Sequence, residues 1–444
     1  YRYWDEETAG YLSDRAYLAY KLKVELALVK ALAKRKICSA SVVKEVEEAI
    51  GKVSPEEVMA EEERVKHDIR AMVNVVRAKV SDAAKPFVHM TATSYDIIDT
   101  ANAARFRDAT KKVLVPALKE LERMLIDLTV KEADTVQVGR THGQHAVPIT
   151  FGYAIAGYVS RLGQSILALD ELAGALRGKF SGAVGAYNAS SLFFDDPEEF
   201  EKDVLKELGL EPAEHSTQIT EPEPMVRLLA EATITAGVIA DLADDMRHLQ
   251  RTEIGEVGEE FEKSQVGSST MPQKRNPINF ENVKSLWKTI VPRLTTAFMD
   301  QLSEHQRDLT NSASGRTYAE TLSYLVSMAR RLTKTMGKLS VDRARVSENL
   351  ALQKGLIAAE PLYITLASLG HPDAHEKVRT LTLAAQKEGK PLEAVAMEDA
   401  EMKPYVAKMS ASQKAILKDP ASYTGIAGEK AKTIAAAWKK KLAL

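Results

Sequence analysis

The chain of 444 residues carries 60 Lys and Arg against 62 Asp and Glu, a net charge of −2, with 45% hydrophobic residues and a single cysteine. A near-neutral balance leaves no field to hold nucleic acid, and one cysteine excludes a disulfide framework or a cysteine metal cluster, as expected of a reducing cytoplasm. No run of about 18 apolar residues occurs, and the start, Tyr1-Arg2-Tyr3-Trp4-Asp5, lacks a basic-then-apolar targeting pattern, so neither membrane insertion nor secretion is expected.

Glycine and proline number 23 and 16, about 9% of residues against a typical ~12%, which leaves little room for turns. Length alone suggests about three domains, and a start at Tyr rather than Met predicts that a few residues precede it. In chain order, residues 1–96 read as shorter helices, such as 17–36 and 54–80, ending in the Thr/Ser-rich stretch Thr91-Ala92-Thr93-Ser94. Prolines are then absent from 149–196, 225–271 and 293–360, and segments that long without a breaker belong to helical proteins.

Apolar residues in those segments recur at spacings of three and four. Leu114, Leu118, Leu121, Leu125 and Leu128 form one stripe, and Ile155, Tyr158, Leu162, Leu169, Leu172 and Leu176 a second, with Ser165 on its line. Leu229, Ala232, Ala236, Ile239, Ala243 and Met246 form a third, and Tyr318, Leu322, Leu325, Ala329, Leu332, Met336 and Leu339 a fourth. Near-parallel helices packing at small crossing angles produce this period. The expected fold is therefore all-α: an N-terminal helical domain (1–96), a central elongated long-helix bundle (97–345) and a C-terminal helical domain (346–444) with turns at Gly370-His371-Pro372 and Lys390-Pro391. The fourth stripe exceeds what one chain readily covers, which points to assembly with other subunits.

Gly267-Ser268-Ser269-Thr270-Met271-Pro272-Gln273-Lys274-Arg275-Asn276-Pro277 interrupts this pattern. Two prolines, a glycine and three successive hydroxyls form a loop, and its hydroxyls, Lys, Arg and Asn amide suit an anionic ligand as well as they suit a polar linker. It matches glycine-serine-x-x-methionine-x-x-lysine-x-asparagine and so resembles the signature of the fumarase/aspartase superfamily. Lys66-His67-Asp68, 89–101 (HMTATSYDIIDTA), 139–148 (GRTHGQHAVP), Thr217-Gln218 and 304–316 (EHQRDLTNSASGR) resemble the adenylosuccinate lyase family within it.

The resemblance implies a β-elimination that breaks the C–N bond of a succinyl-amino nucleotide and releases fumarate, without cofactor or metal. The implied substrates are adenylosuccinate, giving AMP, and SAICAR, giving AICAR, in purine biosynthesis. By resemblance, Ser268 is the general base, stabilised as an alkoxide by Lys274, on a loop that closes as a lid. His142 is the general acid, with Glu281 set against it. An imidazole titrating near neutrality suits that role.

The succinyl carboxylates fall to Lys274 and Asn276 with Thr93, Ser94 and Thr141. Lys66, His67, Asp68, His89, Gln218, Ser269, Met271 and Asn282 are further implied substrate contacts. The phosphate falls to Arg2, Tyr3, Arg307, Ser312 and Arg316. A cytoplasmic homotetramer whose active sites each draw on three chains is also implied. Read without the resemblance, 307–315 could equally be an exposed helix face, and His142 could share a helix face with His145.

Three positions and one segment depart from the family pattern: Thr91 stands where Gly is usual, Lys66 replaces Arg, Gln273 replaces His or Tyr, and Glu221-Pro222-Glu223-Pro224 replaces a segment bearing Arg and Asp. Gln273 instead matches argininosuccinate lyases, the nearest rival, but their serine-arginine-asparagine-aspartate stretch is absent where Thr93-Ser94-Tyr95-Asp96 stands. A catalytically silent relative is the remaining reading, and such a protein would be expected to lose Ser268, His142 or Lys274 first. His371 and His375, four apart on a helix expected from Pro372, make only a weak metal pair.

Overall fold

The structure, a computed structural model, describes residues 3, 5–260, 270–271, 273–353 and 355–444. Long helices dominate: Asp14–Lys34, Ser94–Ala109, Val115–Lys131, Phe151–Gly174, Glu223–Leu249, Ile278–Met299 and Tyr318–Met336. Each apolar stripe is turned inward. Leu114, Leu118, Leu121 and Leu125 have no exposed surface, nor do Ala232, Ala236 and Ala243, nor Leu325, Ala329 and Leu332. The fourth stripe ends one turn early as helix, at Met336, because Leu339 belongs to a short strand, Leu339–Val341, paired antiparallel with Val257–Glu259. No described helix is long and apolar enough to cross a membrane.

Residues 94–131 form one continuous helical rod with a π-turn at Thr110–Leu114. Pro116 explains the turn: a proline has no N–H to donate one turn back, and its ring crowds the carbonyl there, so the backbone widens by one residue.

By contact density the chain divides into two compact units: Tyr1–Leu118, Gln164–Gly237 and Ser285–Arg330 form one, and Lys119–Gly163, Val238–Lys284 and Arg331–Leu444 the other. The second unit contains a self-sufficient apolar core at 358–417, built from Leu362, Leu366, Val378, Leu381, Leu392 and Met402 among others. Its last helix, Ala427–Lys441, seats Trp438 where a β-carbon at Gly163 would come within 2.4 Å of the indole, so only glycine allows that approach.

Two expectations change. The single helix expected over 54–80 is two, Pro55–Val65 and Asp68–Ala78. Ser54 and Glu57 form a capping box at the first, which ends at Lys66 in the left-handed region (φ 58°). His67 is extended, and its Nδ1 accepts from the Arg70 N–H at 3.3 Å, capping the second helix. Apolar periodicity carries across such a break unaltered, which is why the pattern alone reads as continuous.

The second change is at 139–148, which is a β-hairpin and not a helix. Val136–Thr141 pairs antiparallel with Gln144–Thr150, Thr141 lying opposite Gln144. His142 (φ 56°) and Gly143 (φ 71°) form a two-residue loop with both residues left-handed, as a type I′ turn requires. His142 and His145 therefore do not share a helix face.

Candidate active site

The first unit encloses a cavity of about 570 Å³. The Ser94–Ala109 helix supplies one wall through Ser94, Tyr95, Ile98, Asp99, Asn102 and Ala103, residues that return to one face every three to four positions. The break at Lys66–His67 supplies Lys66, His67 and Asp68 to a second side. A turn at 217–221 supplies Gln218 and Glu221, and the 300–319 segment supplies Arg307, Ser312 and Arg316. Eight expected substrate contacts thus meet in one cavity: Lys66, His67, Asp68, Ser94, Gln218, Arg307, Ser312 and Arg316. The 307–315 stretch is not the helix face that its spacing allowed. It runs as turns into a 3-10 segment, Ser314–Thr317, held where Asp300 accepts from Ser314 Oγ and the Tyr318 hydroxyl, both at 2.6 Å.

The charges within the cavity are organised. Lys21 Nζ lies 3.2 Å from Asp68 Oδ2. Burial alone would raise the Asp68 carboxyl, but Lys21, the Ile69 N–H and His67 together hold it below its ordinary value, while burial lowers Lys21. The Arg307 guanidinium sits 4.2 Å over the Tyr95 ring and donates to the Tyr95 hydroxyl. Arg105 is stacked 4.2 Å over Tyr17 and 4.8 Å over Phe106, and burial lowers it to about 10. The walls carry Lys66, Arg105, Arg177, Arg307 and Arg316 alongside six carboxylates, and the guanidinium groups among them suit a ligand bearing phosphate or carboxylate groups.

His89 and Thr93 do not line this cavity. His89 Nδ1 is 2.6 Å from Oε1 of the fully buried Glu25. Burial pulls its pKa down, and Glu25 more than offsets this, leaving it raised. Thr93 precedes the Ser94–Ala109 helix, and its N–H donates to Asp96 Oδ2 at 2.8 Å. Asp96 also binds Lys179 in a fully buried ion pair and accepts from the Gly182 N–H at 3.2 Å. Thr91 takes φ 69°, in the left-handed region that favours glycine, and its Oγ1 is buried without a partner among the described residues. Tyr3 sets its ring edge against Tyr324, centroids 6.4 Å apart.

The second unit carries the other group of expected residues. Thr141 and His142 are exposed at the hairpin tip. Arg140 anchors that hairpin by donating through both terminal nitrogens to the fully buried Glu256, which also accepts from Gln137 Nε2 at 2.6 Å and Asn349 Nδ2 at 2.8 Å. Glu259 accepts from the Asn279 and Phe280 N–H groups at 3.0 and 3.1 Å, fixing the start of the Ile278–Met299 helix, which bears Glu281 and Asn282. Neither glutamate stands out in sequence, because each acts on a partner 20 or more positions away. Met271, Lys274 and Glu281 are exposed, and Asn276 and Asn282 half-buried. No hydrogen bond or ion pair joins Glu281 to His142 among the described residues. Arg2, Ser268 and Ser269 lie outside the described residues.

The histidines weighed as a metal pair separate. His371 precedes the Ala374–Glu388 helix, is buried against Tyr405, and accepts from the Asp373 N–H at 3.1 Å, whereas His375 meets the Tyr363 ring. No group of three metal-ligating side chains occurs among the described residues.

The lyase family model matches residues 2–291, which places the chain among the lyases. The model described as adenylosuccinate lyase C-terminal matches 303–424. The chain is 38% identical to the adenylosuccinate lyase of Pyrococcus abyssi over 412 residues, 91% of this chain and 90% of that one. It is 37% identical to the Pyrococcus horikoshii adenylosuccinate lyase over 440 residues, 98% and 96% of the two chains. The crystal structure of 3-carboxy-cis,cis-muconate lactonizing enzyme from Pseudomonas putida superposes with a TM-score of 0.86 at 28% identity, covering 98% of this chain and 97% of that one. The chain belongs to the adenylosuccinate lyase family.

Proposed function

We propose that this lyase eliminates fumarate from adenylosuccinate, leaving AMP, and from SAICAR, leaving AICAR. The observation that carries the reading is the convergence of Lys66, His67, Asp68, Ser94, Gln218, Arg307, Ser312 and Arg316, from separate parts of the chain, on one cavity. Ser268, as an alkoxide, takes the proton from the carbon next to a succinyl carboxylate. The resulting carbanion spreads into that carboxylate, where Lys274 and Asn276 stabilise the charge. The C–N bond then breaks, its electron pair goes to nitrogen, and His142 delivers the proton the leaving nitrogen needs. Serine acts as a base only where water is excluded and cationic groups stabilise the oxyanion, so the 267–277 loop closes over bound substrate.

The enzyme works as a cytoplasmic homotetramer, each active site drawing on three chains. Exposed apolar side chains on the long helices, among them Tyr153, Leu167, Ile234 and Phe298, support the assembly. His142, Lys274 and Glu281 are exposed on a single chain, as groups that complete a neighbour's site would be. The chain reads as three helical domains, 1–96, 97–345 and 346–444, and the self-contained core at 358–417 supports the last.

The test is fumarate release, followed by ultraviolet absorbance, with adenylosuccinate and separately with argininosuccinate. Turnover of adenylosuccinate alone is expected. Turnover of argininosuccinate alone would make Gln273 the better guide, and silence with both would favour a catalytically silent relative. Ser268→Ala and His142→Ala should each keep substrate binding and lose several orders of magnitude in kcat, and retention of more than about a tenth of wild-type kcat would reject the assigned role.

A further inference from the structure

The turn that carries Gln218 is fastened at two points. On one side the Gln218 N–H donates to the Gln306 carbonyl at 3.2 Å. On the other, Asp99 Oδ2 accepts from the Thr220 N–H at 2.8 Å and from Thr220 Oγ1 at 3.4 Å. Internally the turn is closed by Thr217 N–H to the Ile219 carbonyl at 3.0 Å, Ile219 N–H to Thr217 Oγ1 at 3.3 Å and Thr217 Oγ1 to the Ile219 carbonyl at 3.5 Å, with Ser216 bridged to Thr220. These contacts shape the turn but do not fix where it lies against the Ser94–Ala109 helix, which is left to groups outside it. Asp99 is the side chain that holds it there. It stands in the cavity wall, one helical turn from Tyr95 on the same helix.

We propose that Asp99 is a positioning residue that clips the 217–220 turn to the Ser94–Ala109 helix and so sets where the Gln218 side chain meets substrate. This rests on the reading of Gln218 as a substrate contact. The ionisable groups around Asp99 come from every element that packs there: Tyr17, Tyr95, Lys179, Arg307 and Tyr318. Burial pushes its carboxyl up to about 6, while the Thr220 N–H, Lys179 and Arg307 act in the opposite direction. The amide hydrogen bond is among the interactions that keep the ionised form accessible near neutrality.

The experiment combines Asp99→Ala, Asp99→Asn and Gln218→Ala with the double variant Asp99→Ala/Gln218→Ala. Asn keeps an acceptor oxygen for Thr220; Ala does not. Asp99→Ala should raise KM for adenylosuccinate about 10- to 100-fold, with kcat changed less than about threefold, as loss of a charge-assisted hydrogen bond that acts on binding predicts. Asp99→Asn should recover most of that loss, and in the Asp99→Ala background Gln218→Ala should add almost nothing. Additive losses in the double variant, or an Asn variant as impaired as Ala, would overturn the assignment. Where Asp99→Ala fails to fold, Asp99→Leu fills the same space without an acceptor and takes its place.

Amide exchange at Thr220 gives a readout free of catalysis. It should quicken about tenfold or more in Asp99→Ala and stay slow in Asp99→Asn. If wild type does not turn over adenylosuccinate, the functional reading fails, while unchanged Thr220 exchange in Asp99→Ala would remove the clip itself.

Discussion

Glu122 sits in the middle of the Val115–Lys131 helix with no exposed surface, one turn from Leu118 on one side and from Leu125 and Ile126 on the other. Neither carboxyl oxygen has a hydrogen-bond partner among the described residues, and burial alone pushes its pKa up to about 9. The unfolded chain releases this proton near the ordinary value of 4.5. Between those two values the native state binds more protons than the unfolded state, so stability falls as pH rises through that window, by about 1.4 kcal/mol per unit. The loss is about 3 kcal/mol at pH ~7 and under about 1 kcal/mol at pH ~5. Glu122→Gln keeps the shape and is neutral at every pH. It should therefore match wild type near pH 5 and exceed it by about 3 kcal/mol near pH 7. Urea unfolding followed by circular dichroism at several pH values from about 5 to 8 measures the gap. A gap that does not widen with pH, or a variant less stable than wild type at neutrality, would refute the reasoning and mean that the carboxylate is ionised and paired in the native state.

Other outcomes follow from the 89–96 region. Thr91 pays about 1–2 kcal/mol for its left-handed backbone and about 1–3 kcal/mol for its unpartnered hydroxyl, against about 0.5–1 kcal/mol of chain entropy that glycine would lose. Calorimetry should rank Thr91→Gly above Thr91→Ala and Ala above wild type, and a Gly variant less stable than wild type would show that the hydroxyl is bonded. Lys179→Met should cost about 3–5 kcal/mol, because Asp96 would keep a buried charge without its partner; a loss under about 1 kcal/mol in urea unfolding would mean that water reaches Asp96. For His89, whose pKa Glu25 raises, the pair stabilises the fold fully below the ordinary histidine value, and that stability is lost as pH rises through the raised one. Glu25→Gln should remove this slope, and an unchanged NMR titration of the His89 ring would argue against the pairing.

Much of the architecture was legible in the sequence. The four stripes and the long proline-free segments are local patterns, and local spacing is enough to choose a helix and its buried face. The motifs likewise marked eight of the residues that line the cavity, while others there, such as Tyr17, Asn102 and Arg105, carry no local signal. Tertiary structure decided what local preference opposes. Lys66, Thr91 and His142 all take positive φ, which side-chain-bearing residues avoid, so the break that presents His67, the bend before Ser94 and the hairpin tip that presents His142 exist only because the surrounding packing holds them. It also decided which residues are neighbours. Asp99 meets Thr220, and Arg307 meets Tyr95, across more than a hundred positions. Such contacts depend on how whole helices pack, and no window of sequence short enough to read by periodicity contains both partners.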